Sequence, residues 1–334
     1  MATDRRHFLS AGLIGLTAKA ERPVAGGYVN ESQVNGHRLR DRARFAAPRE
    51  TRRTKIAIVG GGIAGLSAAW WLAKRGCRDF VVLDAEPQAG GNSRYGENDV
   101  TAYPWAAHYV PFPNAESTYV RELFTELGLL DAQGHGNERW LCHSPQERLF
   151  LHGRWQAGLD PEIALTAEDR RQFRQFDELI AAQRASRRYT IPLELGRRPD
   201  PLERISARAW LDQNKLTSAY LRWHVNYACR DDYGASLDDA NAWAAIHYFA
   251  AREHEERGPF TWPEGNGWIL RRLLEKLARQ VETNAMVHRI APAGRRWRVE
   301  SERLSLDADA VIFAAPTFLA PYLIDGFSTP VPFE

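Results

Sequence analysis

KIAIVGGGIAGLSAAWWLAKRG, residues 55–76, decides how this chain folds. It reads as strand, glycine turn and helix. Residues 55–59 are a short run rich in β-branched apolar side chains, the pattern of a parallel strand buried on both faces. Gly60, Gly62 and Gly65 follow at once as G-x-G-x-x-G. The first glycine permits the tight turn, the second lets backbone approach a pyrophosphate, and the third lets the helix pack closely on the strand. Ile63 and Ala64 then open a helix whose free N–H groups point at the phosphate position. Ile63, Leu66, Trp70 and Ala73 share one helix face, and Lys74-Arg75-Gly76 is a regular C-terminal stop.

Phe80-Val81-Val82-Leu83 reads as a second parallel strand ending at Asp84. That acid stands about twenty residues beyond the last glycine, where a dinucleotide fold sets a carboxylate against a ribose hydroxyl. Glycine turns also serve packing alone, but an acid at this spacing in a complete βαβ unit favours a dinucleotide. The run DAEPQAGGNSRYG then adds a second pair, Gly90-Gly91, with Asn92 and Arg94 behind it. An NAD dehydrogenase has no need of that pair.

Taken together, VGGGIAGL, VLDA and GGN resemble the flavin-dependent amine oxidase superfamily, which includes phytoene desaturase-like and protoporphyrinogen oxidase-like enzymes. The resemblance implies an α/β chain. A Rossmann-type FAD-binding domain with a parallel sheet is interrupted by a mixed, largely helical substrate domain. It implies FAD as cofactor, with Gly60, Gly62, Ile63, Ala64 and Gly65 at the pyrophosphate and Asp84 with Ala85 at the adenosine ribose. Gly90, Gly91, Asn92 and Arg94 would lie along the pyrophosphate, Val287 would offer backbone to the adenine, and Ala314 would end a strand returning beside the glycine turn. Asn92 stands where the family usually has arginine, so Arg94 is the nearest positive charge.

The segment YPWAAHY replaces the family's D-x-G-G and would set Trp105, His108 and Tyr109 near the isoalloxazine. His108 is a candidate proton carrier, with a hydrogen-bonded structural histidine as the alternative. No lysine matches the one beside the flavin N5 in many amine oxidases. Because the family continues to a second FAD motif, the sequence is expected to be an N-terminal portion that holds the cofactor loosely by itself. The implied activity is an FAD-dependent oxidoreductase moving a hydride from a C–N or C–C bond of a small molecule. A desaturase- or isomerase-like enzyme on an apolar substrate, and a non-catalytic flavin-binding protein, are the alternatives.

The 334 residues suit two interleaved domains. The expected division is a cofactor domain at 54–112 and 263–334 with a substrate domain at 113–262. Net charge is +2, made of +6 in residues 1–53 (eleven basic, five acidic) and −4 in the rest. The acids interleave with the bases of the body, which argues against a nucleic-acid partner. Three dispersed cysteines without a C-x-x-C pair indicate neither a zinc site nor a disulfide framework. No apolar run is long enough to span a bilayer.

Within 113–262, helices are expected from Glu116 to Leu130, from the Thr166/Asp169 capping box onward, and from Ser206 to Trp223, with a hairpin around His152-Gly153. The proline-rich 101–113 should be irregular and extended. NYACRDDYG, residues 226–234, reads either as a solvated turn or as a polar substrate contact through Arg230, Asp231, Asp232 and Tyr233. Asp231 and Asp232 have no third ligand at useful spacing, so no metal is expected.

The N-terminus has its own signature. Residues 5–9, RRHFL, precede a short apolar run and Ala18-Lys19-Ala20, which reads as a twin-arginine signal over 1–20 with a small-residue cleavage site. Residues 21–53 read as an extended or loosely packed lead-in. The twin-arginine machinery carries folded proteins, which suits a chain that takes up its cofactor before export to the periplasm or beyond. Replacing Arg5 and Arg6 together by lysine is expected to hold the precursor in the cytoplasm, scored by fractionation. Undiminished periplasmic accumulation would contradict the signal.

Overall fold

The computed structural model describes residues 33–143, 147–159, 161–193, 200–252 and 258–328. The twin-arginine signal and the first part of the lead-in lie outside the described residues. The described chain opens with α1 (Gln33–Arg40), β1 (Thr51–Val59), α2 (Ile63–Lys74) and β2 (Phe80–Leu83). Short strands β3 (Tyr95–Glu97), β4 (Ala102–Pro104) and β5 (Tyr109–Val110) lead to α3 (Thr118–Glu126) and the hairpin β6 (Arg148–Leu151) and β7 (Arg154–Ala157). Four helices follow: α4 (Ala167–Ala185), α5 (Ala207–Gln213), α6 (Ala219–Tyr233) and α7 (Ala242–Ala250). The chain returns through β8 (Phe260–Thr261), α8 (Gly267–Leu277), β9 (Val281–Glu282), β10 (Val287–Ala293), β11 (Arg296–Ser301), β12 (Ser305–Phe313) and α9 (Ala320–Leu323).

One six-stranded sheet, in the order β10-β11-β12-β1-β2-β9, organises the cofactor half. Its β12-β1-β2-β9 part is parallel, and β10-β11-β12 is an antiparallel meander at the other side. The two-residue alternation of β1 feeds both faces. Ile58 packs with Leu66 and Trp70 of α2 and Leu270, Leu273 and Leu277 of α8. Ala57 and Val59 face the opposite layer, with Leu39 of α1 and Leu323 of α9. The sheet is therefore covered on both faces, as a parallel sheet requires.

The strand β1 begins at Thr51 because residues 51–54 pair with 305–308 of β12. The lead-in is correspondingly less loose than the sequence suggested. Arg38 in α1 binds Glu302 at 2.9 Å, and Phe45 stacks on His288 at 4.3 Å between centroids. The segment 101–113 is also corrected in part, since β4 pairs with β3 and β5 with β8. Leu123, Phe124, Leu129 and Leu130 join the packing cluster of α2 and α8, whereas α4 to α7 form a separate helical cluster around Trp210, Leu221 and Ile246.

The expected capping box is present, with Asp169 N donating to Thr166 Oγ1 and Thr166 N to Asp169 Oδ2. The expected single helix from Ser206 to Trp223 is two helices. Gln172 of α4, 4% exposed, explains the break: its Oε1 accepts from the backbone N–H of Thr217 at 2.6 Å and Ser218 at 2.8 Å. Ser218 in turn caps α6. Residues 226–233, read as a turn or a binding segment, are the last two turns of α6, which stops at Gly234 with φ 63°. Helix α7 was not foreseen because AWAAIHYFA is apolar nearly all round and shows no amphipathic period.

The Gln172→Leu variant strips the acceptor from one part-buried and one buried backbone N–H group, so a loss of about 2–4 kcal/mol is expected in denaturant unfolding. A wild-type unfolding midpoint would show that the break between α5 and α6 needs no such tie.

Candidate dinucleotide site

The glycine turn sits at the C-terminal end of β1, where an open α/β sheet binds ligands. Gly60 has φ 108°, and a Cβ there would lie 2.8 Å from the Ala314 carbonyl, so the end of β12 is pressed against the turn. That places Ala314 beside the turn, as expected from sequence. Gly65 makes the closest approach: its Cβ would fall 1.9 Å from the Gly60 carbonyl oxygen. The start of α2 is thereby drawn over the sheet end. Gly62 differs, because a Cβ there meets nothing nearer than Gly91 Cα at 3.9 Å. It is the open position of the three. Gly62 is also the N-cap of α2 and supplies no side-chain acceptor, so the first N–H groups of Ile63, Ala64 and Gly65 remain for a ligand.

The second glycine pair lies directly against the first. Gly62 and Gly90 form a parallel bridge, and Gly90 N donates to Gly61 O at 2.8 Å. Gly90 has φ 132° and Leu270 of α8 fills the space a side chain would take. Asn92 O accepts from Ala107 N at 3.0 Å, tying this turn to the segment that carries His108. Arg94 Nε donates to Gly91 O at 3.1 Å, and its Nη1 stands 3.9 Å from Glu86 Oε2. Arg94 is therefore tied into the second turn and its acidic neighbour, in a position different from a guanidinium directly after the glycine pair.

Asp84, 7% exposed, ends β2 beside the turn. Its Oδ2 accepts from Gly61 N at 3.0 Å and its Oδ1 from Glu86 N at 2.8 Å. Burial pushes the carboxyl above its ordinary range, opposed by those two N–H groups and by Arg94. Ala85 follows it. The next link joins to β10: Ala285 N donates to Asp84 O, and Val287 is buried at the start of that strand. Gly61 was missed in the sequence, although a middle glycine opposite a short acid was the available signal.

The three aromatic candidates share one surface-facing segment but assemble no proton-transfer chain. Trp105 meets Tyr103 edge-on at 5.2 Å, and His108 meets Tyr109 edge-on at 5.0 Å. His108 Nδ1 contacts its own turn at Ala106 O, 3.1 Å away. The segment is docked on the turn before α8, where Asn266 N donates to Ala107 O and a Cβ on Gly265 would collide with it. Trp105 and Arg94 also line a groove of about 680 Å³ with Gln88, Tyr95, Leu270 and Arg271. Of the α6 polar group, Asp232 pairs with Arg252 at 3.0 Å and the Tyr233 hydroxyl donates to Ala244 O, so both hold α6 to the following helix. Among the described residues no group of three or more His, Cys, Asp or Glu is placed to hold a metal, and no helix is long and apolar enough to cross a membrane.

Residues 58–127 match the model of an NAD(P)-binding Rossmann-like domain. A D-amino acid dehydrogenase of Xylella fastidiosa (strain M12) is 36% identical over 61 residues, covering 17% of this chain and 14% of that protein. An L-amino acid oxidase, Bs29, of Bothriechis schlegelii is 41% identical over 75 residues, 22% of this chain and 14% of that one. The matched stretches thus span about a seventh of these relatives' length. A putrescine oxidase structure superposes with TM-score 0.63 at 19% identity, covering 82% of this chain and 61% of that chain.

The Gly65→Ala variant is expected to lose at least about 3 kcal/mol, because backbone oxygen and not a flexible side chain occupies the space. Thermal unfolding measures it, and wild-type stability would mean that α2 can retreat from β1 at no cost. With the glycine turn, the paired parallel strands and these likenesses together, the chain shares the fold of the putrescine oxidase structure over 82% of its length, opened by an NAD(P)-binding Rossmann-like domain at residues 58–127.

Proposed function

We propose that this protein is an FAD-dependent oxidoreductase of amine oxidase type, acting on a C–N bond of a small amine or amino acid. The observation that carries the cofactor reading is the room at Gly62. In a turn where Gly60 and Gly65 are closed by backbone, a Cβ on Gly62 would meet nothing nearer than Gly91 Cα at 3.9 Å, next to uncapped helix N–H groups. That donor set and that shape fit a pyrophosphate. Bound FAD would supply the hydride acceptor. The chain's residues would do the holding: Gly62, Ile63, Ala64 and Gly65 at the phosphates, Gly90, Gly91 and Asn92 across from them, Asp84 and Val287 at the adenosine end. Trp105, His108 and Tyr109 would border the ring.

The amine or amino-acid substrate class is supported by the names of the relatives matched over the first βαβ unit. Export by the twin-arginine route is part of the same proposal and is supported by RRHFL at residues 5–9. The domain division into 54–112 with 263–334, and 113–262, is proposed likewise, and is supported by the separate helical cluster of α4 to α7.

Gly62 has φ −72° and ψ −174°, which alanine adopts freely. Gly62→Ala is therefore expected to fold with a wild-type melting point while FAD affinity, followed by flavin fluorescence, falls on the order of ten- to a hundredfold. Unchanged affinity in the folded variant would remove the pyrophosphate from this turn.

A further inference from the structure

From Glu50 onward the chain is fixed to the sheet, since Ser305 N donates to Glu50 O at 2.8 Å and β1 begins at Thr51. Before that point, α1 and the turn after it are held largely through side chains. Leu39 is buried in the layer that also contains Val287 and Leu323. Arg38 Nη2 and Ala46 N both donate to one oxygen of Glu302, at 2.9 Å and 3.1 Å. Arg42, in the left-handed region at φ 50°, turns the chain between α1 and Phe45. Phe45 then lies flat on His288 of β10, with ring centroids 4.3 Å apart and planes 1° from parallel.

His288 is half-buried, and its Nε2 is buried without a hydrogen-bond partner. The Arg38 guanidinium also lies over the Phe45 ring, 4.7 Å from its centroid. A proton on His288 therefore sets a second cation against the same phenyl ring, with its charge taken out of water. Four charged groups face the imidazole: Glu300 of β11 and Glu302 beyond it favour the proton, while Arg38 of α1 and Arg289 of β10 oppose it. Burial is the largest influence and holds the ring below its ordinary value of about 6.5. The docked lead-in thus prefers the neutral ring. Docking is at full strength above the ordinary histidine value and weakens as pH falls through the lowered one. Glu302 does not share this titration, because Arg38 and Ala46 N hold its carboxyl below the ordinary carboxylate range.

We propose that residues 33–46 form an acid-released strap, docked on β10 while His288 is neutral and loosened when that ring takes up a proton. Its release needs no cofactor and concerns the point where residues 1–32 join the folded body. Arg38 and Glu302 are positioning residues: they bring α1 and Ala46 to the end of β11, which sets Phe45 over the imidazole.

Arg38, Arg40, Arg42 and Arg44 make the strap a row of trypsin sites. The test follows cleavage at these sites in the full chain by mass spectrometry from about pH 7.5 to about pH 5.5, the range in which a histidine changes charge. Each rate is divided by that of a synthetic peptide of the same strap sequence at the same pH, which removes the protease's own pH dependence. The wild-type ratio should rise about threefold or more as pH falls. His288→Phe keeps an aromatic ring for the stack and takes no proton, so its ratio should stay at the wild-type neutral-pH value throughout. Phe45→Ala should give a raised ratio at every pH. His37→Gln, which removes the strap's own histidine, should keep the wild-type rise. Should His288→Phe not fold, the ring-proton resonance of His288 in the wild type, assigned by comparison with His288→Gln, should titrate below the ordinary histidine value. The proposal is overturned by a wild-type ratio that does not change with pH, by a rise that survives in His288→Phe or vanishes in His37→Gln, by Phe45→Ala behaving as wild type, or by His288 titrating at or above the ordinary value.

Discussion

The contact between Gly65 and the Gly60 carbonyl sets the geometry on which the rest of the cofactor half depends. Only with no side chain at residue 65 can α2 start this close to the end of β1. Once it does, Gly61 N is aimed at Asp84, Gly62 is left without a close steric neighbour, and the second glycine pair can bridge to the first. Each of these is a backbone relation. It follows that the site is built by chain path more than by side-chain chemistry, as suits a ligand whose pyrophosphate is recognised by N–H groups and a helix end.

A second constraint lies away from the site. Helix α4 stabilises the connection between α5 and α6 through two glutamines: Gln172 accepts from Thr217 and Ser218, and Gln175 donates to Asn214 O at 2.9 Å. These two side-chain amides do for a helix break what caps do for a helix end. The helical cluster thereby has a defined shape against which α7 can pack, and Arg252, at the end of α7, returns to Asp232 of α6. Asp232 and Tyr233 of the polar run at 230–233 tie the helices together.

What was legible in the sequence follows from range. The βαβ unit, its glycines and Asp84 depend on steric demands within a few residues, and the Thr166/Asp169 cap depends on a spacing of three. The break at 214–218 depends on Gln172, 45 residues away, and the packing of the lead-in from residue 33 onward involves Arg38 meeting Glu302, 264 residues away. Neither leaves a local trace. The bonding of Asp84 to Gly61 N and Glu86 N was hidden for a different reason. Sequence spacing locates an acid, but not the two backbone N–H groups from which its carboxylate accepts. His108 shows the same limit, since its contact with Ala106 O leaves no trace in the sequence.

The central claim is that the paired glycine turns form the seat of an adenosine diphosphate moiety and so select FAD. Equilibrium titration of the purified protein with FAD, repeated with excess ADP and with excess FMN, tests it most directly. Because the proposed site would hold phosphate and ribose at the ends of β1 and β2, ADP should displace FAD and FMN should not. Displacement by FMN with none by ADP would place the flavin, and not the adenosine diphosphate, in command of binding, and would contradict the claim.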